Sequence, residues 1–340
     1  MKRIILFLLC LTVTAGLFSG CSSAPAASAA PADASDSVSS TGTSLQIVTT
    51  IFPIYDWVRS VAGDQAEHLD ITWLLNSGVD LHSYQPTVED MLTISTCDVF
   101  VYVGGESDGW VHDALDGAVN KDMTVINLMD VLGSSVREEE VVEGMEADDH
   151  EENLEADEEE GPEYDEHVWL SLKNADTAVG AIAETLAAKD PDHGDVYRAN
   201  AEQYRSELRD LDTRYQKMTE SAARHTLLFG DRFPFRYLTD DYGLDYYAAF
   251  VGCSAETEAS FETVAFLSGK LDELALPAVL TIEGGDQALA RTIIENSRSG
   301  DQVILALDSM QGTAARDLEA GKTYLSVMEE NLAVLETALN

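Results

Sequence analysis

The chain contains 340 residues, with 62 acidic and 20 basic side chains, so its formal net charge is −42 at neutral pH. Such a charge argues against nucleic acids and anionic lipid surfaces as partners and favours cations or solubility in salt. The length is enough for two domains with hydrophobic cores of their own.

The N-terminal segment has the pattern of a bacterial secretory signal. Two basic residues precede an apolar run over 4–18 that is too short for a transmembrane helix. The run ends in LFSGC, and small residues before a cysteine at this point resemble a lipoprotein cleavage site. We therefore expect a signal peptide over 1–20, lipidation of Cys21 and a lipid-anchored, disordered linker over 21–43. A plain secreted protein is the alternative.

Short strands alternate with helices in the next part of the chain. The predicted strands are LQIVTT, HLDITWLL, DVFVYVGG and MTVINL, and the predicted helices are FPIYDWVRSVAG and TVEDMLTIST. This alternation predicts an α/β lobe, over 44–190, with a parallel sheet covered on both faces. Ligands of such sheets bind outside the carboxyl ends of the strands. His82, in the loop after the second predicted strand, is a candidate ligand, although a lone loop histidine is more often a solvated residue.

The segment over 137–166 is rich in carboxylates and almost devoid of apolar residues. Because this composition cannot bury a core, it predicts an exposed, flexible loop. His150, Asp148 and Asp149 are candidate weak ligands for divalent cations, since carboxylate oxygens suit hard ions. A solvated insertion without a role is the alternative.

Order is expected to return at the apolar segment HVWLS, which begins with His167 and precedes a predicted helix over 173–188. A long helix is then predicted over Asp192–Ala223, because apolar and aromatic residues recur at alternating spacings of four and three. We interpret residues 191–224 as a rigid connecting helix between two lobes. A surface helix or a coiled-coil seam would show the same pattern.

The second predicted lobe, over 225–340, repeats the α/β pattern. Its strands are HTLLFG, LDYYAAF, PAVLTIE and QVILAL, and its helices are FPFRYLTDDYG, SFETVAFLSGKLDELA, ALARTIIENS and TYLSVMEENLAVLETAL. Asp231 follows the first of these strands, and Glu283 and Asp286 follow the third. Each carboxylate is also placed to cap the next helix, which is a common role for aspartate.

Histidines of one lobe and carboxylates of the other therefore occupy loops that would face a shared crevice. Two imidazoles with one or two carboxylates suit a divalent first-row metal ion, four-coordinate in the case of zinc. The sequence contains no GxGxxG, P-loop, GxSxG or HExxH motif that would point to nucleotide binding or acyl transfer. Whether Cys97 and Cys253 form a disulfide is left open by their separation in the sequence.

From about Leu45 to Leu339 the chain resembles the metal-binding solute receptors of bacterial ABC importers, in the zinc and manganese cluster of that superfamily. The segments DLHSYQPTVEDM and DEHVWLSLKNA are similar to the family's D-P-H-x-Y-x-P-T and D-P-H-V-W-L-S-P motifs. These motifs carry the first two metal ligands and place them at His82 and His167. The segments YVGGESDGW, FPFRYLTDDYGL, CSAETEASF and TYLSVMEENLAVL extend the resemblance.

The resemblance also has departures. The family's third ligand, usually histidine or glutamate, falls on Asp231, and the fourth falls on Asp286 or Glu283. Leu81 and Glu166 replace the prolines of the two histidine motifs.

Together these features imply two α/β lobes joined by one long helix, with the metal between the lobes. They imply a monomeric, lipid-anchored, extracytoplasmic receptor without catalytic activity, which binds zinc and delivers it to an ABC permease. Manganese is the alternative cargo. Two other classes stay open: a metal-dependent hydrolase, which needs a general base beside an open coordination position, and an adhesin with a structural metal.

Overall fold

A computed structural model of the chain describes residues 44–146, 163–254 and 258–340. The predicted signal peptide, Cys21, the linker, and Asp148, Asp149 and His150 of the acidic segment lie outside these residues. Within the described ranges, none of the helices combines the length and the hydropathy that a bilayer-spanning segment needs.

The first lobe is built on a parallel sheet with four strands. Its strands are β1 (Gln46–Thr49), β2 (Asp70–Trp73), β3 (Val99–Tyr102) and β4 (Thr124–Asn127). The order across the sheet is β2-β1-β3-β4. Its helices are α1 (Phe52–Ala62), α2 (Val88–Thr96), α3 (Val111–Asp116), α4 (Leu128–Leu132) and α5 (Leu172–Lys189). Because the strands are parallel, the loops after β1, β2 and β3 emerge at one edge of the sheet.

The second lobe repeats this architecture. Its strands are β5 (Thr226–Phe233), β6 (Asp245–Val251), β7 (Ala278–Ile282) and β8 (Val303–Leu307), in the order β6-β5-β7-β8. Its helices are α7 (Arg236–Tyr242), α8 (Phe261–Glu273), α9 (Ala288–Glu295), α10 (Ala315–Glu319) and α11 (Tyr324–Leu339). The predicted fold class is confirmed: two lobes, each with a parallel sheet flanked by helices.

The helix predicted over Asp192–Ala223 is α6 (Gly194–Ser221), and it leads from the first lobe to β5. Its aromatic and aliphatic stripe is buried, as the spacing predicted. Tyr204 Oη donates to Asp56 of α1 at 3.4 Å, and Tyr215 Oη donates to the carbonyl of Met328 in α11 at 2.5 Å. Because α6 contacts both lobes along its length, it fixes one lobe against the other.

The two lobes share a hydrophobic core that contains buried residues of both sheets. Polar contacts cross the same boundary. Asp56 accepts a hydrogen bond from the backbone N–H of Tyr324 at 3.0 Å, and Trp169 Nε1 donates to the carbonyl of Ser309 at 2.9 Å. A smaller core lies between the second sheet and helices α8 and α9.

Replacing Asp56 with Asn is expected to reduce the pH dependence of stability. Burial raises the pKa of Asp56 from 3.8 to about 6, against the hydrogen bonds from Tyr324 and Tyr204. As the pH rises, the carboxyl group therefore loses its proton at a lower pH in the unfolded chain than in the folded protein. The free energy of unfolding then falls between about pH 4 and pH 6, by about 3 kcal/mol for a shift of this size. An Asn carbonyl oxygen still accepts from Tyr324, and urea unfolding of both proteins across this pH range measures the difference. If the free energy of unfolding changed with pH in the same way for both proteins, the raised pKa of Asp56 would be contradicted.

Both ends of the acidic segment are ordered, which corrects the prediction of one flexible loop over 137–166. Met145 is buried, and the N–H of Glu146 donates to the carbonyl of Ala249 at 2.9 Å. At the other end, Asp165 and Glu166 are buried. Composition alone missed this order because these contacts are made with distant segments of the chain.

A second correction concerns β5, which was predicted to end at Gly230. The strand continues to Phe233, with an irregularity in its pairing with β6 between Phe229 and Arg232. Asp231 therefore lies within the strand and not in a loop that follows it.

Candidate metal centre

His82 lies in a 3-10 turn, Leu81–Ser83, that follows β2. Leu81, which replaces the family's proline, is buried and anchors the turn, while the Asp80 carboxylate accepts from the N–H of His82 at 3.1 Å. The Nδ1 atom of His82 lies 2.7 Å from Ser107 Oγ. This contact fixes the ring, whose Nε2 faces His167.

His167 precedes the 3-10 turn Val168–Leu170 and is completely buried. Asp165 Oδ1 accepts hydrogen bonds from the backbone N–H of His167 at 2.8 Å and from its Nδ1 at 3.0 Å. A carboxylate only accepts, so Nδ1 carries the proton and Nε2 is the basic nitrogen. Carboxylates commonly orient metal-binding histidines in this way.

The two imidazoles meet at the boundary between the lobes, with 3.1 Å between His82 Nε2 and His167 Nε2. Burial, and then the charge of His167, lowers the pKa of His82 to about 3. Burial, the largest single cause, acts to lower the pKa of His167, but the carboxylates of Asp165, Glu166 and Asp80 together raise it. The two Nε2 atoms therefore face each other at a position where a metal ion would compete with a proton.

Cys253 is the third potential ligand at this position, and sequence reasoning missed it. Among the described residues, the ligand atoms of His82, His167 and Cys253 all lie within 4.8 Å of one another. Cys253 follows β6, a strand-end position like those of the predicted ligands. Its thiol and that of Cys97 are both free, so the disulfide alternative is not realised in the structure. Burial, and then nearby carboxylates, raises the pKa of the Cys253 thiol.

Gly252 permits the close approach of β6 to the histidine pair. A Cβ atom at this position would lie 2.8 Å from Cε1 of His167 and 3.0 Å from the carbonyl oxygen of Phe233. Any larger residue would push the end of β6, and the cysteine that follows, away from the imidazole.

The structure brings none of the three predicted carboxylate ligands to the histidine pair. Asp231 accepts from the backbone N–H groups of Arg232 and Ile282, at 2.9 and 3.1 Å. Glu283 accepts from Ser309 N at 2.7 Å and from Gly312 N at 3.1 Å. Asp286 caps the start of α9 through the N–H of Ala288 at 2.8 Å. The three acids line an adjoining cavity of about 720 Å³, where backbone donors satisfy them.

An ion pair between the lobes borders the same cavity and was also missed from the sequence. Arg232 of β5 donates to the Asp80 carboxylate at 2.8 Å. The other Asp80 oxygen lies 4.0 Å from His82 Nε2 and 3.3 Å from the side-chain nitrogen of Gln311. Gln311 also lies 3.0 Å from His167 Nε2. The second lobe thus covers the histidine pair with the amide of Gln311 and with the guanidinium of Arg232, which is ion-paired with Asp80.

Glu166 replaces a proline of the second histidine motif and is buried. Its Oε1 accepts from the N–H of Ser107 at 2.7 Å, and its Oε2 lies 3.5 Å from His82 Nδ1. That Oε2 has no hydrogen-bond partner among the described residues. Burial raises the pKa of this carboxyl group. Glu166 therefore adds a carboxyl group directly behind the imidazole of His82.

Comparison with known proteins places these residues in a family. The family described as zinc-uptake complex component A, periplasmic (ZnuA), matches residues 47–338. The chain belongs to this family. The resemblance that the two histidine motifs indicated is thereby confirmed, and the matched range includes both lobes and the connecting helix.

Two curated relatives and one solved structure give the degree of similarity. The zinc-binding lipoprotein AdcA of Streptococcus pneumoniae is 32% identical over 296 residues, which are 86% of this chain and 55% of AdcA. The high-affinity zinc uptake system protein ZnuA of Bacillus subtilis is 26% identical over 303 residues, 89% of this chain and 90% of that protein. The crystal structure of the Zn(II)-bound ZnuA-like domain of S. pneumoniae AdcA superimposes with a TM-score of 0.67 at 28% identity, covering 87% of this chain and 99% of that one. The chain thus spans about 55% of the length of the first of these relatives.

Proposed function

We propose that the protein is an extracytoplasmic receptor that binds zinc between its lobes and delivers it to an ABC permease, without catalysing a reaction. The observation that carries this proposal is the pair of Nε2 atoms of His82 and His167, 3.1 Å apart. Two nitrogens bound to one tetrahedral zinc ion at 2.0–2.1 Å are separated by about 3.3 Å. The pair therefore has nearly the spacing that a bound zinc ion requires.

The surroundings of the pair suit a dication that must be held and later released. Asp165 and Ser107 fix the ring orientations, so little conformational freedom remains to be lost when the ion binds. Asp165 and Glu166 place two carboxyl groups inside a buried site. Because Arg232 and Gln311 cover the pair from the second lobe, separation of the lobes would expose the ion to water and to the permease.

The relatives support the choice of cargo and the anchoring. AdcA of S. pneumoniae is named as a zinc-binding lipoprotein, and ZnuA of B. subtilis as part of a high-affinity zinc uptake system. We therefore infer zinc as the cargo, Cys21 as the lipidated residue and the outer face of the cell membrane as the location. We also infer that the receptor acts as a monomer.

Zinc accumulation by cells tests the import function. Cells that lack this protein are expected to accumulate less zinc when free zinc is scarce, and the parental gene should restore uptake. A gene encoding His82→Gln should not restore it, although the variant protein reaches the membrane. Full restoration by that variant would contradict the proposed role of the histidine pair.

Deletion of residues 147–162 is expected to leave one tight zinc equivalent and to remove only weak ones. This segment contains Asp148, Asp149 and His150, together with many other carboxylate side chains from Asp and Glu. Its sequence has few apolar residues, so hydrophobic burial offsets little of the conformational-entropy cost of enclosing an ion, and this cost reduces affinity. The deletion keeps the ordered residues up to Glu146, which pack on β6. Titration calorimetry of both proteins measures the equivalents, and loss of the tight one would overturn the assignment.

A further inference from the structure

We propose that Cys253 is the third zinc ligand and that its thiolate, rather than a carboxylate of the second lobe, binds the ion on that side. This inference rests on the proposed function, since it names a further ligand of the same site. It differs from the ligand set that the family resemblance implied, in which Asp231 and either Asp286 or Glu283 complete the site.

The distances favour the thiol. The ligand atoms of Cys253 and of both histidines lie within 4.8 Å of one another. A thiolate at 2.3 Å and an imidazole at about 2.05 Å from one tetrahedral zinc ion are separated by about 3.6 Å. A movement of the Cys253 side chain by about 1 Å therefore brings the sulfur into coordination distance. Gly252 keeps the backbone close enough for this, because it leaves room for the ring of His167.

The competing carboxylates are held elsewhere. Asp231 and Glu283 each accept backbone hydrogen bonds from two N–H groups, and these would be lost if the carboxylates turned towards the histidines. Unmaking a hydrogen bond of a buried backbone N–H is costly, so both acids favour their present positions. Among the described residues, the thiol of Cys253 makes no comparable hydrogen bond that would have to be broken.

A cysteine ligand also connects the ion to the second lobe. His82 and His167 both belong to the first lobe, so they alone cannot draw the lobes together. Coordination by Cys253 replaces its S–H bond with an S–Zn bond and releases the proton to solvent. Two neutral imidazoles and one thiolate form a set that selects zinc over hard ions such as manganese. Gln311, Asp80 and water are the candidates for the fourth position.

Cobalt(II) substitution tests the proposal, since a thiolate bound to cobalt gives an intense charge-transfer band in the near ultraviolet. The detergent-extracted full chain, stripped of metal and titrated with Co²⁺, should show this band, and Cys253→Ser should lack it. Cys97→Ser is the matched control and should keep the band, because Cys97 is buried against the first sheet. Cys253→Ser should also bind zinc more than about 100-fold more weakly, since loss of an outer-shell partner alone costs 10–100-fold.

Three outcomes separate the possibilities. A band that depends on Cys253 alone supports the proposal. If the parent binds zinc and cobalt without the band, or if Cys253→Ser binds zinc as tightly as the parent, Cys253 is not a ligand while the receptor function stands. If the parent protein binds neither ion, both proposals are wrong. Thermal unfolding of the metal-free variants checks that each substitution leaves the fold intact.

Discussion

Substitution of either histidine with glutamine, His82→Gln or His167→Gln, is expected to weaken zinc binding by more than about 100-fold in Kd. Each substitution removes one of the two nitrogens that converge at 3.1 Å. Glutamine is chosen over alanine because its side-chain amide retains an N–H donor for the buried Asp165 carboxylate, which now contacts Nδ1 of His167. Without a side-chain donor, Asp165 would keep only the backbone N–H of His167 as a partner, at a cost of about 1–3 kcal/mol of stability, and the loss of binding would then be ambiguous.

Titration calorimetry of the metal-free proteins measures the effect. His112→Gln is the matched control, because His112 is exposed on α3 and pairs with the exposed Asp116. This variant should bind zinc as the parent does. Asp231→Asn should also remain within a few-fold of the parent, since Asp231 faces backbone donors and not the histidines. A parental Kd for either histidine variant would contradict the assignment of the site.

The fold was largely predictable from the sequence because its elements are locally determined. Thr87 and Asp90 form a capping box at the start of α2, and the buried stripe of α6 follows the spacing of its apolar residues. His82 and His167 were predictable for a related reason. Each lies in a short motif at the edge of the first sheet, and the general position of ligand sites in α/β sheets then brings the two together.

The rest of the site depends on contacts between distant segments, which local patterns do not encode. Pro234 was interpreted as part of a helix start, yet Phe233 before it remains in β5 and stacks on Tyr246 of β6, with 3.6 Å between ring centroids. Backbone pairing of Arg232 and Phe233 with Phe250 and Val251 continues β5 past Asp231, which therefore lies in a strand and not in a loop. In the same way, Cys253 lies close to the histidines because Gly252 before it has no side chain. Arg232 pairs with Asp80 across the boundary between the lobes, 152 residues away in the sequence.

The metal-free protein is expected to retain zinc, with a preference of more than about 100-fold, when zinc and manganese are present at equal free concentrations. Imidazole nitrogens and a thiolate bind zinc more strongly than manganese, which favours octahedral oxygen sites. Such a site would need both Asp231 and Glu283 to leave their backbone donors, at a cost of about 1–3 kcal/mol for each buried group left unsatisfied. Equilibrium dialysis followed by metal analysis of the protein measures the ratio.

If the protein shows no preference for zinc over manganese, two amide variants test whether the carboxylates of the second lobe are the reason. Asp231→Asn and Glu283→Gln keep the size of each side chain and one of the two oxygens that accept from backbone N–H groups, but remove the negative charge that manganese requires. Under the zinc assignment, neither variant should change the ratio of zinc to manganese. Retention of manganese by the parent, lost in both variants, would show that the carboxylates do leave their backbone partners and bind the ion. That result would exclude zinc as the preferred cargo, whereas membership of the receptor family would be unaffected.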